Sequence, residues 1–162
     1  MNTSPINSVS VLFIYKENIL TVQRQSYLKD FPGYLAFPGG KIDYNESSIP
    51  FKTKFLCEND ATLMRALQRE IQEELGYDLE EGINNGEVLS VSELAEVLAP
   101  EFAQIRFRTW FYRVDLNKKI NLSLDSGEFA ISFWESPKKL LDNFRAGNSL
   151  MVPPTRWVLE KL

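Results

Sequence analysis

The chain has 162 residues, a formal net charge of -4 and no histidine. This acidic balance argues against binding nucleic acid through a basic surface, and the lack of histidine excludes Ser-His-Asp and Cys-His catalysis and histidine-ligated zinc. Hydrophobic residues make up 44% of the chain and charged residues 25%, as in an ordinary globular protein, so we expect a single domain over 1–162.

The single cysteine and the N-terminal residues bear on the cellular compartment. Cys57 cannot form an internal disulfide, which favours a reducing cytoplasm. The apolar run at 9–15 is too short and too weakly flanked to predict a signal peptide or a membrane span. Because imidazole is absent, an enzyme of this sequence must use carboxylates, lysines or a metal-bound water for proton transfer.

The N-terminal part of the chain predicts strands and a glycine turn. Segments 8–15 and 19–24 are rich in β-forming residues and predict two strands joined by a turn. A polar loop over 25–33 follows, and short extended pieces then flank Pro38, Gly39 and Gly40. Two consecutive glycines allow the backbone to lie close to another segment or a ligand. Segment 47–57 has no helical or strand period and predicts an irregular excursion.

The next element is a helix that ends at Gly76. Its apolar residues recur every fourth position and predict a buried stripe made of Leu63, Leu67, Ile71 and Leu75. Asn59 or Asp60 is the expected N-cap, and Gly76 is a natural residue to end the helix.

The C-terminal part predicts further strands and two helices. Segment 77–85 reads as a turn-rich connection, and strands are expected over 87–98, 105–116, 120–124 and 129–134, with a helix as the alternative for the second half of 87–98. Ser136 and Pro137 predict a helix start that runs to about Phe144, and Pro153 and Pro154 predict the start of the last helix.

Three carboxylates crowd the end of the helix before Gly76. At about 100° per residue, Glu70, Glu73 and Glu74 fall within an arc of roughly 100° beside the apolar stripe. The helix dipole disfavours anions there by roughly 0.3–1 kcal/mol each, and nearby arginines offset only part of this. A solvated acidic face is the ordinary explanation of a Glu-rich helix. The unfavourable end of the helix instead favours a hard divalent cation, Mg²⁺ or Mn²⁺, among the carboxylates.

Two segments of the chain form one pattern: Gly40-x5-Glu46 and Arg69-Glu-Ile-x-Glu-Glu-x-Gly-Tyr77. They resemble the two halves of the Nudix box, which reads G-x5-E-x7-R-E-U-x-E-E-x-G-U. In this box, U is a bulky apolar residue. Glu46 and Arg69 are 23 positions apart, so 15 residues are inserted relative to the box, at about 47–61. We call these residues the inserted segment. Loop closure entropy grows slowly with length, so an insertion at this junction need not disturb the helix or the glycine turn.

The resemblance implies an α+β fold, an α/β/α sandwich with a mixed, curved sheet between helices. It also implies a hydrolase that acts on a nucleoside diphosphate linked to another group, X. Catalytic and Mg²⁺- or Mn²⁺-binding residues would be Glu70, Glu73, Glu74 and Glu128, with the Gly40 carbonyl as a further metal ligand. Glu128 is equally well explained as an exposed turn residue, and Glu101 is a weaker candidate for the same role. Arg69 and Glu46 would orient the carboxylates, and candidate substrate contacts are Arg24, Lys41, Gly39 and Arg106.

The segment from Phe31 to Gly40 resembles the lead-in of coenzyme A diphosphatases. The interrupted box, the strand that begins at Arg106 and the helix start at Pro153 resemble the acyl-CoA diphosphatase branch, although Arg108 stands where that branch carries an acidic residue. CoA or acyl-CoA is therefore expected slightly ahead of ADP-ribose or a nucleotide sugar. The alternatives are a nucleoside triphosphate pyrophosphatase that clears damaged nucleotides and a non-catalytic sensor of a nucleotide metabolite. We expect a small-molecule partner, neither nucleic acid nor membrane, and leave a homodimer open.

Overall fold

A seven-stranded mixed sheet lies at the centre of the computed structural model, which describes residues 4–162. Its strands are β1 (Ile6–Tyr15), β2 (Asn18–Arg24), β3 (Leu35–Ala36), β4 (Gly39–Lys41), β5 (Val88–Leu98), β6 (Phe107–Leu116) and β7 (Phe129–Glu135). The helices are α1 (Ala61–Leu75), α2 (Leu79–Asn84), α3 (Pro137–Arg145) and α4 (Pro153–Glu160). The strand order is β3-β2-β1-β6-β5, with β4 paired to β1 and β7 paired to β2. Among the strand pairs within 4–162, β1 and β6 run parallel and the other pairs are antiparallel.

Strand β1 is buried on both faces because helices cover both sides of the sheet. Val9, Val11 and Phe13 pack into the core that includes α1, whereas Leu12 and Ile14 pack into the core that includes α3 and α4. Successive strand residues point to opposite faces, so a strand with two covered faces has a nearly continuous apolar sequence. The expected mixed sheet between helices is confirmed, and the sheet is not closed.

One predicted strand is wrong, and one predicted loop contains a helix. Segment 120–124 joins no strand, because its end completes the last turn of α1 instead. The Ser123 amide donates to the Leu75 carbonyl, and the Asp125 amide donates to the Glu74 carbonyl, each at 2.8 Å. The turn-rich segment 77–85 includes α2, whose N-cap is Asp78. The other predicted strands and helices are present, with shifted ends.

The ends of α1 follow the sequence signals. The Asp60 side chain accepts a hydrogen bond from the Leu63 amide at 2.9 Å, and Gly76 adopts the left-handed conformation with φ 61°. The buried stripe contains Met64 in place of the predicted Leu63, which is only partly buried. None of the helices between residues 4 and 162 has the length and apolar character needed to cross a membrane.

Replacement of the α1 N-cap tests how much this local signal contributes to the fold. Asp60→Ala should lower the free energy of unfolding by about 1 kcal/mol, because the Leu63 amide loses its side-chain acceptor. Urea denaturation monitored by circular dichroism measures this difference. Asp60→Asn keeps a side-chain acceptor and serves as the matched control. Equal stability of the alanine variant and the native chain would contradict the capping role.

Candidate metal-binding and catalytic site

The glycine turn is pressed between β1 and the end of α1. Gly39 and Gly40 pair with Ser10 and Val9 of β1. Gly39 has φ 151°, and a Cβ atom there would overlap the carbonyl oxygen of Val9. A Cβ on Gly40 would overlap the carboxylate of Glu70. Glycine is therefore required at both positions for backbone and carboxylates to lie this close together.

Glu74 is the most deeply buried carboxylate of α1. The residue is 3% exposed, and its Oε2 atom accepts a hydrogen bond from the Gly39 amide at 2.7 Å. Burial raises the pKa of Glu74 to about 9, and the negative charges of Glu128 and Glu70 add to the increase. The Gly39 hydrogen bond and the charge of Arg24 oppose this increase without cancelling it. Without a nearby cation, Glu74 therefore retains its proton at neutral pH.

Glu70 and Glu73 flank this buried carboxylate on α1. Burial raises the pKa of Glu70, an effect that Arg69 opposes and that the charges of Glu73 and Glu128 reinforce. The Glu70 Oε1 atom lies 2.8 Å from Nη1 of Arg69. The Glu73 side chain is 59% exposed, and its carboxylate lies 3.4 Å from the same nitrogen. Of the three carboxylates on this helix, Glu73 therefore has the greatest access to solvent and Glu74 the least.

Arg69 joins the helix to the chain that follows the glycine turn. Its Nη2 atom lies 2.7 Å from Oε2 of Glu46 and donates to the Lys41 carbonyl oxygen at 3.0 Å. Burial raises the pKa of Glu46, but hydrogen bonds from Arg69 and from the Asp43 amide outweigh it and leave that pKa below its ordinary value. The inserted segment therefore leaves the Glu46–Arg69 ion pair intact, with one guanidinium bridging Glu46 and Glu70.

Glu128 reaches the carboxylates of α1 from the turn before β7. The Asp125 amide in this turn donates to the Glu74 carbonyl at 2.8 Å, and the charge of Glu128 adds to the increase that burial causes in the pKa values of Glu70 and Glu74. The Glu128 Oε1 atom lies 2.8 Å from Nη1 of Arg24. Three carboxyl side chains from two segments, Glu70 and Glu74 on α1 and Glu128 in the turn, thus lie near the glycine turn, with the guanidinium of Arg24 beside Glu128.

Other residues predicted for the site lie around it or elsewhere. Lys41 is exposed on β4, and its carbonyl oxygen contributes through the bond to Arg69. The Arg106 Nε atom donates to the Ala99 carbonyl at 3.1 Å, in the connection between β5 and β6. Glu101 is exposed in that same connection. Within residues 4–162, neither Arg106 nor Glu101 pairs with the three converging carboxylates. Arg108 lies 3.3 Å from Glu96 on the neighbouring strand β5.

The donor atoms suit a hard cation, although they are engaged with protein groups. Over the described range 4–162, no three or more Cys, Asp or Glu side chains already surround a common point where an ion would fit. Glu70 is held by Arg69, Glu74 by the Gly39 amide and Glu128 by Arg24. Carboxylate oxygens are the ligands that Mg²⁺ and Mn²⁺ prefer. A divalent cation would also offset the mutual repulsion that raises the pKa values of Glu70 and Glu74.

Two polar residues of the 25–33 loop hold the turn that contains Glu128, and no pattern in the sequence predicts either contact. The backbone amide of Gln25 donates to the Glu128 backbone carbonyl at 2.8 Å, and the Tyr27 hydroxyl donates to the Gly127 carbonyl at 2.7 Å. About a hundred positions separate these partners along the chain. No periodicity or spacing connects them, so only the pairing of β2 with β7 brings them together.

Solved structures show that this fold occurs in other proteins. A NUDIX hydrolase from Alicyclobacillus acidocaldarius matches with a TM-score of 0.78 and 18% identity, covering 99% of this chain and 91% of the other. A MutT NUDIX hydrolase from Burkholderia pseudomallei matches with a TM-score of 0.66 and 18% identity, covering 99% of each chain. The NUDIX domain of Shewanella oneidensis NrtR, solved in complex with ADP ribose, matches with a TM-score of 0.67 and 14% identity, covering 98% of this chain and 86% of the other. At these identities the likeness shows a common fold.

The family is shown by the sequence itself. No curated protein matches this chain in a sequence search. The sequence model of the NUDIX domain family, however, matches residues 5–157. These residues include the glycine turn, α1 and the turn that contains Glu128. The chain therefore belongs to the NUDIX domain family and has the fold and the domain of a Nudix hydrolase.

Proposed function

We propose that this protein is a metal-dependent diphosphatase that cleaves the diphosphate bond of a nucleoside diphosphate linked to another group. Members of the family generally act on nucleoside diphosphate derivatives. The observation that carries the proposal is that Glu70 and Glu74 lie against the glycine turn, where burial raises the pKa of both and repulsion from Glu128 adds to the increase. Repulsion between carboxylates would not help a site whose only role was to keep the fold rigid.

The carboxylates supply the ligands of the proposed metal site. Glu70, Glu74 and Glu128 would hold Mg²⁺ or Mn²⁺, with Glu73 and the Gly40 carbonyl as further ligands. The ion would offset the charge of the diphosphate and acidify a bound water. Arg69 binds Glu70 and keeps its carboxylate oriented toward the glycine turn. A contact of this kind, from a group that does not itself bind the metal, holds a metal ligand in position.

A carboxylate must also take the proton of the attacking water, because the chain has no histidine. Glu74 is the first candidate, since a bound cation would hold its buried carboxylate ionised and able to accept a proton. Glu73 is the second candidate because its exposed side chain is accessible to water. Arg24 and Lys41 border the site and are the proposed phosphate contacts. Arg106 would need to leave the Ala99 carbonyl to serve the same purpose.

For the group X, we favour CoA or acyl-CoA slightly over ADP-ribose or a nucleotide sugar. Support comes from the Phe31–Gly40 lead-in, which is similar to that of CoA diphosphatases and leads directly into the glycine turn at the carboxylates. ADP-ribose comes next because the NUDIX domain of NrtR, which shares this fold, was solved with that ligand. The Arg108 side chain faces Glu96 on β5 and so gives the CoA branch no further support.

A substrate panel tests the reaction and the group X together. With Mg²⁺ or Mn²⁺, the protein should cleave CoA, acyl-CoA, ADP-ribose or a nucleotide sugar at the internal diphosphate, giving two phosphomonoesters. Phosphorus NMR of the products in ¹⁸O-labelled water identifies the bond that breaks. Dinucleoside polyphosphates and dNTPs complete the panel. Pyrophosphate release from dNTPs alone would replace the proposal with a nucleoside triphosphate pyrophosphatase, and tight binding without turnover would replace it with a sensor.

Glu74→Gln tests the central carboxylate. Turnover should fall at least about 100-fold, because the variant loses both a metal ligand and the proposed proton acceptor, and even groups behind a ligand are worth 10–100-fold. Steady-state kinetics with Mg²⁺ on the best substrate of the panel measures the loss. Glu160→Gln on α4, across the sheet from α1, is the matched control and should retain native rates. Full Mg²⁺-dependent activity in Glu74→Gln would falsify the assignment.

The same variant should change how stability depends on pH. Because the folded pKa of Glu74 is about 9 and its ordinary value is 4.5, the folded state keeps a proton that the unfolded state releases between these pH values. The free energy of unfolding of the metal-free protein therefore falls as pH rises through that range. In EDTA, Glu74→Gln should melt above the native chain at pH 8, by about 2–4 °C per kcal/mol gained, and level with it at pH 5.

Calorimetry at the two pH values, with and without metal, completes this test. Millimolar Mg²⁺ should raise the melting temperature of the native chain at pH 8, because the ion binds only the folded state. The Gln variant should respond less. If the stability of the two proteins in EDTA depended on pH in the same way, Glu74 would not be a buried acid with a raised pKa.

A further inference from the structure

We propose that Arg65 and Phe51 are positioning residues, which clamp the inserted segment onto α1 and thereby keep Glu46 on Arg69. This inference rests on the proposed function, because Arg69 in turn orients Glu70 at the carboxylate site. It assigns a purpose to the start of the inserted segment, which otherwise only lengthens the path from Glu46 to the helix.

The Arg65 side chain binds the backbone at Ile49, three residues after Glu46. Its Nε atom donates to the Ile49 carbonyl at 2.8 Å, and Nη2 lies 3.4 Å from the Pro50 carbonyl oxygen. The guanidinium also stacks on the Phe51 ring, with 3.6 Å between its central carbon and the ring centroid. A planar guanidinium can donate to two carbonyls and stack on a ring at once, which a lysine ammonium cannot do.

Phe51 fixes this point of the chain to the protein interior. The ring is 6% exposed and belongs to the same hydrophobic core as α1, as does Leu56, which is 1% exposed. Ser47 and Ser48, between Glu46 and the clamp, are exposed. The core therefore holds the inserted segment at Phe51, directly under the Arg65 guanidinium.

Arg65 and Arg69 lie one helical turn apart on α1, so they project from the same side of the helix. Arg69 binds the side chain of Glu46, and Arg65 binds the backbone of Ile49. The two arginines thus hold both ends of one short stretch, 46–49. If the loop led directly into the helix, the short connection would limit the movement of Glu46. Here the connection is longer, and the contacts of Arg65 with Ile49 and Phe51 limit that movement instead.

Loss of the clamp should act through Arg69. Its guanidinium is shared between Glu46 and Glu70, with closest distances of 2.7 and 2.8 Å. If Glu46 moves away, Arg69 keeps Asp43, Glu70 and Glu73 as partners and competes with a cation for the oxygens of the two helix glutamates. Arg65 therefore affects the metal site without touching metal or substrate, and its effect requires Glu46.

A double-mutant cycle between Arg65→Ala and Glu46→Gln tests this dependence. Arg65→Ala should weaken Mn²⁺ binding, measured by electron paramagnetic resonance, by about 10-fold, the lower end of the loss expected for a group behind a ligand. In the Glu46→Gln background it should cause no further loss. Arg65→Lys should bind Mn²⁺ less tightly than the native chain. The values of kcat/KM on the best substrate should follow the same pattern.

Arg156→Ala is the matched control for losing an arginine on a helix. Its guanidinium lies 5.9 Å from the Phe144 ring and 3.5 Å from Glu160, and α4 packs across the sheet from α1. Mn²⁺ affinity and kcat/KM should stay native in this variant. Equal losses from Arg65→Ala in both Glu46 backgrounds would overturn the proposal, as would native Mn²⁺ affinity in Arg65→Ala.

Hydrogen–deuterium exchange separates this inference from the proposed function. The Asp43 amide donates to Glu46 Oε2 at 3.2 Å, so peptides spanning 43–49 should exchange faster in Arg65→Ala without metal or substrate. If the native chain hydrolyses no member of the panel, the diphosphatase proposal fails while the exchange and Mn²⁺ results still decide on the clamp. Unchanged exchange in Arg65→Ala would reject the clamp even in an active diphosphatase.

Discussion

The buried carboxylate of Glu74 is the constraint to which the surrounding elements conform. Burial of a carboxylate is unfavourable unless hydrogen bonds or opposite charges compensate it, and here one backbone amide, from Gly39, donates to it. That amide reaches the helix only because two glycines let β4 pass between β1 and α1. The turn of Glu128 adds a further negative charge nearby. The polypeptide thus places carboxyl groups around a buried position, and under the proposed function a bound cation would stabilise their ionised forms.

How far the sequence predicted this arrangement depends on the distance along the chain over which each signal acts. The helix α1 was predictable because its apolar period, the Asp60 cap and the Gly76 end are all local. The convergence of Glu128 on Glu74 was not predictable from spacing, since it depends on the pairing of β2 with β7. Segment 120–124 was predicted as a strand, yet its end bonds to the last carbonyls of α1. Local propensity could not show that unpaired helix carbonyls would compete successfully for these amides.

The inserted segment shows how a motif can be interrupted without losing its geometry. Extra residues in a loop cost little closure entropy, so what matters is whether the ends remain fixed. Arg69 fixes Glu46 at the near end, while Phe51 and Leu56 bury the middle of the segment in the core of α1. Asp60 then begins the helix with its own side-chain cap. Sequence reasoning gave the irregular character of this segment correctly, but burial of Phe51 depends on which helix face it meets.

The balance of charge at the site also limits what it can bind. Six carboxyl groups, on Asp43, Glu46, Glu70, Glu73, Glu74 and Glu128, are grouped around two guanidinium groups, on Arg24 and Arg69. Arg69 is committed to holding Glu46 and Glu70, so little of its charge is left for a ligand. A diphosphate alone would add negative charge beside Glu70 and Glu74, whose pKa values burial and neighbouring carboxylates already raise. The proposed substrate is therefore compatible with these residues only when divalent cations accompany it, which couples substrate binding to metal binding in this site.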